Sequence, residues 1–453
     1  MAIVRQTQQI PVIRTCDVLV IGGGPAGIGA AVSAAREGVQ VLLLEKRGFL
    51  GGNITACFVE NCNYFLRNTG FTSEALYAQI EKECYEKYSN DNLREHNKYA
   101  FSSEYLKLYL DDLMQTEQVE VLFHAFVNEV VLKDSKIEAV IVQTKKGPMA
   151  IKADEYVDAT GDADVCYAAG VGYDQGREKD GLCQPGTVGL RLAGASVEAL
   201  LAGGDGLSEI GRQFKEAYRA NMTNLVCKRQ DLPFGRLTKG GQISYVNYSC
   251  CYGLDPTDIT DLSRGEIECR RYVYDIYQYL KRTHESLKDI EIASIGSEIG
   301  FRDSRRVHGL YTLKIEDMES NRHFDDVIAV FPRFYDMLAP DANMDGDGSV
   351  AGKGYEGHIY EPVVDERTFE VPYRSLVPKS VDNLLVSGRC ISSDHVAESG
   401  IRAISLCMMT GQAAGVASAL ACKTGQNPAD LDVRSIQRCL VRLGFSLPIE
   451  EAL

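Results

Sequence analysis

A glycine-rich turn between two apolar segments constrains the fold of this 453-residue chain most strongly. Residues 17–21 form a short apolar run, and small residues then continue to Gly38, where a helix could end. A second apolar run, residues 39–44, ends at Glu45. The pattern G-x-G-x-x-G between the two runs is formed by Gly22, Gly24 and Gly27. This order predicts a buried parallel strand, a helix and a second buried parallel strand, which is typical of a dinucleotide-binding unit.

Each glycine of the motif has a physical task in such a unit. Gly22 permits the tight turn, Gly24 lets the backbone approach a pyrophosphate, and Gly27 lets the helix pack against the strand. The helix N-terminus offers free N–H groups and the positive end of its dipole to the phosphates. Glu45 is placed to accept hydrogen bonds from a ribose diol. The predicted nucleotide contacts in this part of the chain are Gly22, Gly24, Pro25, Ala26, Gly27, Glu45, Lys46, Gly51, Gly52 and Asn53.

The motif occurs once, which bears on the identity of the nucleotide. The glycine runs at 203–206 and 346–348 lack the flanking strand and helix that a second unit would need. A second glycine pair, Gly51 and Gly52, follows shortly after Glu45. At this point the chain resembles the glutathione-reductase-type FAD fold, in which this loop passes near the flavin. The resemblance implies FAD rather than NAD.

The middle of the chain is similar to the rest of that fold. Residues 103–117 predict an amphipathic helix, and residues 119–165 alternate polar and apolar in short runs, which predicts hairpins. They end in a strand at 154–158 and the turn A-T-G-D at 159–162. A β-meander followed by such a strand and turn resembles the FAD domain. The contacts that the resemblance implies here are Val127, beside the adenine, and Ala159, Thr160 and Gly161.

Residues near the C-terminus predict the segment that closes the same site. Residues 384–388 read as a last buried strand, and the resemblance implies that Gly388 and Arg389 lie beside the pyrophosphate. Residues 400–421 predict the closing helix, whose first turn would direct N–H groups at the pyrimidine edge of the flavin. The contacts implied in that turn are Gly400 and Ile401. Arg389 has the alternative of a structural salt bridge.

The pattern of residues 388–421 resembles the family of FAD-dependent oxidoreductases, relatives of the fumarate reductase and succinate dehydrogenase flavoproteins. Residues 183–194, 295–313 and 369–390 agree with that family and follow in the expected order. The resemblance implies an α/β fold: a glutathione-reductase-type, Rossmann-like FAD-binding domain with a β-meander and an inserted α+β substrate or cap domain. The implied segments are FAD domain 1–60, helical excursion 61–99, FAD domain 100–170, cap 171–364 and FAD domain 365–453.

Candidate catalytic residues lie in two polar segments. Arg302, Arg305 and Arg306 are spaced i, i+3 and i+4, so on a helix or tight turn they could converge on one face and clamp a carboxylate. The alternative is an ion-pair network with acidic neighbours. His308 could carry protons or face the core, and His395 could lie near the flavin or cap a loop. The candidates are Arg302, Arg305, His395 and Arg402.

An aspartate-rich loop gives a weaker metal pattern. Asp341, Asn343, Asp345 and Asp347 are spaced like the first ligands of an EF-hand loop. The twelfth position, where a bidentate glutamate is required, is Gly352, so a solvated turn is the alternative and no metal site is predicted.

The composition indicates what kind of partner the protein binds and in which compartment it is found. The net charge of −15 argues against nucleic-acid and anionic-membrane partners, and the expected partner is a small-molecule substrate. The 14 cysteines have no C-x-x-C spacing and no secretory signal is evident, which indicates free thiols in the cytoplasm. Residues 401–421 are apolar, and we expect a buried helix there rather than a membrane span. The sequence leaves the oligomeric state open.

The chain departs from the fumarate reductase and succinate dehydrogenase flavoproteins that it resembles, which often tether FAD through a histidine just after the second strand. Residues 46–65 contain no histidine, and Cys57 and Cys62 read as buried thiols, so FAD is expected to bind without a covalent bond. The predicted reaction is hydride transfer between a polar, anionic small molecule and flavin N5. Two alternatives stand beside it. One is an FAD-dependent tRNA-modifying enzyme, against which the acidic charge argues, and the other is a non-catalytic flavin-binding protein.

Overall fold

The computed structural model of the chain describes residues 9–60, 75–88, 93, 102–202, 204–341, 359–361 and 367–449. The helices are α1 (Pro25–Arg36), α2 (Asn53–Ala56), α3 (Ala75–Tyr88), α4 (Ser103–Thr116), α5 (Asp164–Ala168), α6 (Val197–Leu201), α7 (Gly206–Arg219), α8 (Ile259–Thr283), α9 (Ile315–Glu319), α10 (His395–Ile401), α11 (Ile404–Thr424) and α12 (Val433–Arg442). The strands are β1 (Val12–Ile21), β2 (Val41–Glu45), β3 (Glu120–Phe123), β4 (Phe126–Lys133), β5 (Lys136–Thr144), β6 (Gly147–Asp158), β7 (Tyr173–Gln175), β8 (Leu190–Ala193), β9 (Ile243–Val246), β10 (Glu291–Ile295), β11 (Arg305–Val307), β12 (Val327–Pro332), β13 (Tyr335–Met337), β14 (Ile359–Glu361), β15 (Thr368–Pro372) and β16 (Leu384–Val386).

A largely parallel sheet forms the centre of the molecule. The parallel strands lie in the order β3-β2-β1-β6-β16. The end of β6 lies between β1 and β16, whereas its beginning pairs antiparallel with β5, which in turn pairs with β4. The predicted hairpins of residues 119–165 are therefore confirmed as a β-meander. The strand predicted at 154–158 is the end of the longer β6.

The predicted strand–turn–helix–strand unit is confirmed. Gly22 has φ +105°, a conformation that side chains rarely adopt. A Cβ on Gly27 would lie 1.7 Å from the carbonyl oxygen of Gly22, so a side chain there would separate α1 from the turn. Gly38, with φ +82°, follows the C-terminus of α1 as predicted.

Helix α11 packs against α1 with backbone touching backbone. A Cβ on Gly411 would lie 2.0 Å from the carbonyl oxygen of Ala26, and one on Gly415 would lie 2.1 Å from that of Ala30. From the other side, a Cβ on Gly29 would lie 2.4 Å from the carbonyl oxygen of Met408. Helix α11 has the length and mean hydropathy of a membrane span, but 89% of its most apolar window is buried inside the protein.

A second hydrophobic core lies between the three-stranded sheet β10-β8-β9 and helices α7 and α8. Phe214 is at its centre, with the rings of Tyr248 and Tyr279 each edge-on at 5.6 Å. The long helix predicted at 264–286 is present as α8, but it begins at Ile259, because the Asp258 carboxylate accepts hydrogen bonds from the first-turn amides. We call the part of the protein built on this core the cap.

The boundaries predicted between the FAD domain and the cap remain predictions. The two hydrophobic cores show which residues pack with the central sheet and which with the cap. Residues between Val307 and Met337 contribute to the first core, with the central sheet, rather than to the second. Helix α3 lies within the helical excursion predicted at 61–99, most of which is outside the described residues. The last residue of the glycine run at 203–206 is the first residue of α7, so the expectation that no helix flanks this run was wrong. Residue 203 itself is outside the described residues.

Gly415→Ala tests the contact between α1 and α11. Its new methyl group must displace the backbone of α1, so we expect the free energy of unfolding in urea to fall by about 1–3 kcal/mol. Gly240→Ala is the control, because a Cβ there would meet only the Thr238 hydroxyl, at 3.9 Å. Equal urea midpoints for the two variants would contradict the close packing.

Glu155→Gln tests a buried carboxyl on β6. Glu155 is 5% exposed, and burial raises its pKa from 4.5 to about 8. The folded state therefore binds an extra proton between these values, and stability falls as the pH rises through this window, by up to about 1.4 kcal/mol per unit. We expect Glu155→Gln to be more stable than the wild type at pH 8, with a difference that vanishes below pH 4.5.

The control for this comparison is Glu138→Gln on β5. Glu138 is exposed and bound to Lys152 at 2.9 Å, which lowers its pKa. Its contribution is lost only as acid protonates it, so this variant should gain nothing at pH 8. Parallel pH–stability curves for the wild type and Glu155→Gln would disprove the assignment.

Candidate functional site

A cavity of about 990 Å³ opens at the carboxyl ends of β1, β2, β6 and β16 and continues between these ends and the cap. Open α/β sheets bind ligands at this edge. The volume is at the upper end of the range for ligand pockets, which suits an extended ligand such as a dinucleotide together with a small molecule.

Two long helices, α1 with 12 residues and α11 with 21, begin at the cavity wall without a side-chain cap. Gly24 precedes α1 and Ala403 precedes α11, and neither supplies an acceptor for the first amides. By contrast, side-chain oxygens cap the helices α4, α6, α10 and α12. Uncapped N-termini bind anions through their free N–H groups and their dipoles. The cavity therefore fits a ligand with negative charge at two places, as the pyrophosphate and the pyrimidine edge of FAD require.

Glu45 fastens the glycine turn to the end of β2. Its side chain is 2% exposed; Oε2 accepts a hydrogen bond from the amide of Gly23 at 2.8 Å, and Oε1 accepts one from the amide of Arg47 at 2.8 Å. Glu45 also lines the cavity, so its carboxylate can face a ribose while it holds the turn.

Most of the predicted nucleotide contacts line the cavity. They are Gly22, Gly24, Pro25, Ala26, Glu45, Lys46, Gly52, Asn53, Val127, Ala159, Thr160, Gly161, Gly388 and Arg389. Gly27 and Gly51 are not part of the lining. Gly27 packs on the backbone of Gly22, and the amide of Gly51 donates to the carbonyl of Gly23, so both shape the turn from behind.

The closing helix differs from the prediction. Residues 400–421 are not one helix, because α10 ends at Ile401 and α11 begins at Ile404. Gly400 and Ile401 thus belong to the last turn of α10, and neither lines the cavity; a Cβ on Gly400 would lie 2.7 Å from the carbonyl oxygen of Phe334. The first-turn residues at the wall are Ala403 and Ile404 instead.

Arg389 makes the salt bridge that was its structural alternative, and it also lines the cavity. Its Nη2 lies 2.7 Å from Oδ1 of Asp162, which also accepts a hydrogen bond from the Ser304 hydroxyl at 2.6 Å. Burial opposes ionisation of Asp162, but the charges of Arg389 and Lys46 outweigh it and hold the pKa of this carboxyl below its ordinary value. Burial and the nearby Asp162 raise the pKa of Asp164 to about 6.

The expected convergence of three arginines on one face was wrong. The segment is extended, with Arg305 and Arg306 in β11. Nη1 of Arg305 donates to the carbonyl oxygen of Asp162 at 3.0 Å and pairs with Asp164 at 3.1 Å, and Arg306 is buried against Glu398. Both belong to the ion-pair network that was the alternative. Of the three, Arg302 alone lines the cavity.

His395 lies behind the cavity wall rather than in it. Its Nε2 is 2.7 Å from Oδ2 of Asp303, and both residues are buried. His308 is half-exposed and lies 3.2 Å from Asp174. No histidine of the described ranges lines the cavity, so a proton carrier there must be another residue. Tyr245 is the tyrosine of the wall, and the sequence pattern did not single it out.

Arg402 lines the cavity in a desolvated position. One Nη2 hydrogen bond goes to the backbone oxygen of Asp336, and the carboxylate of that residue lies 3.4 Å away. Nε is buried and has no hydrogen-bond partner in the part of the chain that the structure describes. Burial lowers the pKa of Arg402, opposed by the charge of Asp336, and the positive charge of Arg302 lowers it further. The two guanidinium groups therefore repel each other across the site.

The cavity wall holds seven acidic and seven basic residues, but their ion pairs do not match one to one, because some of the acids pair with arginines outside the wall. Every lining carboxylate has a cationic partner within 4 Å; these acids are Glu45, Asp162, Asp164, Asp231, Glu266, Glu298 and Asp336. Three lining cations, Lys46, Lys215 and Arg302, have no carboxylate partner among the described residues. Sequence patterns did not indicate Lys215 or the lining Arg229, because neither belongs to a recognisable motif.

Two further expectations concern metal and thiol chemistry. Asp341 pairs with Nη2 of Arg177 at 2.8 Å, while Asn343, Asp345 and Asp347 lie outside the described residues. Within the described part of the chain, no group of acids, histidines and cysteines could hold a metal. Cys57 lines the cavity, and burial raises its pKa to about 12, so it is a neutral thiol; Cys62 is not described.

The sheet, the glycine turn and the two helix N-termini define a nucleotide-binding α/β protein. The profile of the FAD dependent oxidoreductase family matches residues 17–440, and the chain belongs to that family. It is an FAD-dependent oxidoreductase, and FAD is its cofactor.

Similarity to individual proteins is local or distant. The flavin-dependent halogenase armH3 of Armillaria mellea is 48% identical over 63 residues, 14% of this chain and 12% of the halogenase. Thiamine thiazole synthase of Aeropyrum pernix is 27% identical over 156 residues, 32% of this chain and 54% of the synthase. The solved p-nitrophenol 4-monooxygenase PnpA of Pseudomonas putida is 11% identical, with 95% of this chain and 85% of that chain covered and a TM-score of 0.45. The chain spans only a small part of the halogenase.

Gly24→Val tests the cradle at the start of α1. Gly24 has φ −77°, which any residue adopts, and a Cβ would lie 3.8 Å from Gly52 Cα, so the fold can accept a side chain. The side chain would occupy the space at the helix N-terminus. We expect the dissociation constant of FAD, measured by quenching of flavin fluorescence, to rise at least about tenfold while the urea midpoint of the apoprotein stays unchanged.

Gly27→Val is the contrasting variant. Its side chain would collide with the backbone of Gly22, so the apoprotein itself should lose stability. Wild-type affinity for FAD in Gly24→Val would rule out this cradle.

Proposed function

We propose that the protein transfers hydride between a small anionic substrate and non-covalently bound FAD, held in a glutathione-reductase-type domain. The observation that carries this proposal is Arg302, a half-buried cation of the cavity wall without a carboxylate partner among the described residues. The parallel strands and the attached β-meander support the assignment to that type of domain. The free thiols of the described cysteines support a cytoplasmic location.

The residues of the sheet edge would hold FAD. The N-terminus of α1, from Gly24 to Ala26, suits the pyrophosphate, Glu45 the ribose and Val127 the adenine. Lys46, which is exposed at the end of β2, would add positive charge near the phosphates. FAD supplies an acceptor or donor of hydride at N5 when it is bound. The N-terminus of α11 favours negative charge at its own end of the cavity.

Arg302 and Arg402 would bind and orient the substrate. Arg302 donates to the carbonyl oxygen of Pro185 at 3.0 Å, a neutral acceptor, so its charge is left for a ligand. An anion between Arg302 and Arg402 would relieve their mutual repulsion and give the buried Nε of Arg402 an acceptor. A guanidinium binds a carboxylate through two parallel hydrogen bonds, which fixes direction as well as position.

Tyr245 would move the proton that accompanies the hydride. It is buried, it lines the cavity, and a phenolic hydroxyl can both donate and accept a hydrogen bond. This assigns to a tyrosine the role for which sequence patterns suggested a histidine.

Arg302→Leu tests the substrate site. The holoenzyme is titrated with carboxylic acids and with their neutral amides, and binding is followed by the change in flavin absorbance. We expect the wild type to bind acids and not amides, and Arg302→Leu to bind the acids at least about tenfold more weakly, because one charged hydrogen bond is lost.

Arg212→Leu is the control, since this exposed arginine on α7 is bound to Glu209 and Glu216 away from the cavity. Equal affinity for acids and amides in the wild type would contradict an anionic substrate. An acid that binds should then be tried as a reductant of the flavin without oxygen.

A further inference from the structure

A second uncompensated cation lies in the cap half of the cavity. Lys215 is half-buried on α7 and lines the cavity, yet no carboxylate of the described residues pairs with it. The acids of its own helix are engaged elsewhere, because Glu209 and Glu216 both bind Arg212 at 2.5 Å. The nearest lining acid in sequence, Asp231, is bound at 3.0 Å by Arg229. The charge of Lys215 is thus available to a ligand.

The position of Lys215 follows from the face of α7 that forms the wall. Ser208, Gly211 and Lys215 are spaced i, i+3 and i+7, so they share one face of the helix, and all three line the cavity. A Cβ on Gly211 would lie 3.2 Å from the carbonyl oxygen of Leu232, which brings the loop at 229–234 against this face. Lys215 is therefore a wall residue on a helix packed in the second core.

Arg302 lines the cavity beside Asn53 and not on α7. The Asn53 side chain, at the sheet edge, donates to the carbonyl oxygen of Phe301 at 3.3 Å, so Arg302 adjoins the flavin side. Apolar wall residues of this half of the cavity include Leu207, Leu232, Phe234, Leu262, Ile299 and Leu338. A ligand that reaches from Arg302 to Lys215 would pass over this apolar surface.

We propose, on the basis of the proposed function, that the substrate carries two anionic groups joined by an apolar segment. Arg302 and Arg402 bind the first group beside the flavin, and Lys215 binds the second. Lys215 is then a residue that determines specificity: it selects molecules with a distal charge and takes no part in the chemistry. A carboxylate and a phosphate share the chemistry that an ammonium recognises, so either can be the distal group.

Three series of probes test this inference on the FAD-loaded protein: α,ω-dicarboxylates of increasing length, monocarboxylates of equal length, and the same monocarboxylates with a terminal phosphate. Binding is read from the change in flavin absorbance at low salt. We expect one length of doubly anionic probe to bind at least about tenfold more tightly than the matched monocarboxylate. Whichever distal group, carboxylate or phosphate, binds more tightly identifies the chemical class of the substrate.

Lys215→Met should abolish this difference and leave the affinity for the monocarboxylate unchanged. Arg219→Met is the matched control, since it removes the same charge from an exposed position of the same helix that is not part of the cavity wall. Retention of FAD by both variants confirms that they fold.

Two results would overturn the inference alone: equal binding of single and double anions at every length by the wild type, or equal weakening of both classes by Lys215→Met. In either case, binding of monocarboxylates that depends on Arg302 would leave the proposed function standing. Failure of every acid to bind would overturn both.

Discussion

The contact between α1 and α11 is the constraint on which the site depends. Carbonyl oxygens of Ala26 and Ala30 occupy the space that side chains at Gly411 and Gly415 would take. Because the two helices touch through their backbones, their N-termini open at the same cavity although almost 380 residues separate them in sequence. A ligand with two negative regions can then be held by main-chain amides, and few side chains are needed for it.

The cavity has a different character on its two sides. At the sheet edge most charged side chains are paired, as Arg389 and Asp162 are, and the attraction for anions comes from the helix N-termini and from Lys46, which has no carboxylate partner among the described residues. Farther from the sheet the attraction comes from side chains, chiefly Arg302, which adjoins the flavin side, and Lys215 on the cap. A common FAD-binding half can therefore coexist with a cap whose residues select the substrate, which is how one fold serves many reactions.

The sequence carries enough information to predict the glycine turn and the first helix of the FAD site, but too little to predict the closing helix and the substrate side. The turn at Gly22 needs a positive φ and the contact at Gly27 needs a missing side chain, so both are visible as glycines. The break between α10 and α11 is not visible, because residues 400–421 contain no proline and Arg402 alone does not distinguish a helix end from a polar helical position. It arises where Arg402 is bound to Asp336, a partner supplied by distant chain.

The sequence spacing of Arg302, Arg305 and Arg306 suggested a shared face that the structure does not form. Positions i, i+3 and i+4 share a face only on a helix, and pairing with β7 extends the segment that contains Arg305 and Arg306. Long-range pairing therefore decided which arginine reaches the cavity. For Lys215 there was no pattern to follow. In the sequence, a lysine of an amphipathic helix that lines a cavity looks the same as one that faces solvent.

The shared strand β6 has a consequence for the order in which the protein is made. Its neighbour β16 pairs Leu384 with Tyr156, so the sheet edge remains incomplete until the ribosome has synthesised most of the chain. The cap lies between these two segments in sequence, so it is synthesised before β16, Arg402 and α11. The last part of the chain to be made therefore completes the FAD site and adds an arginine of the substrate site in one stretch.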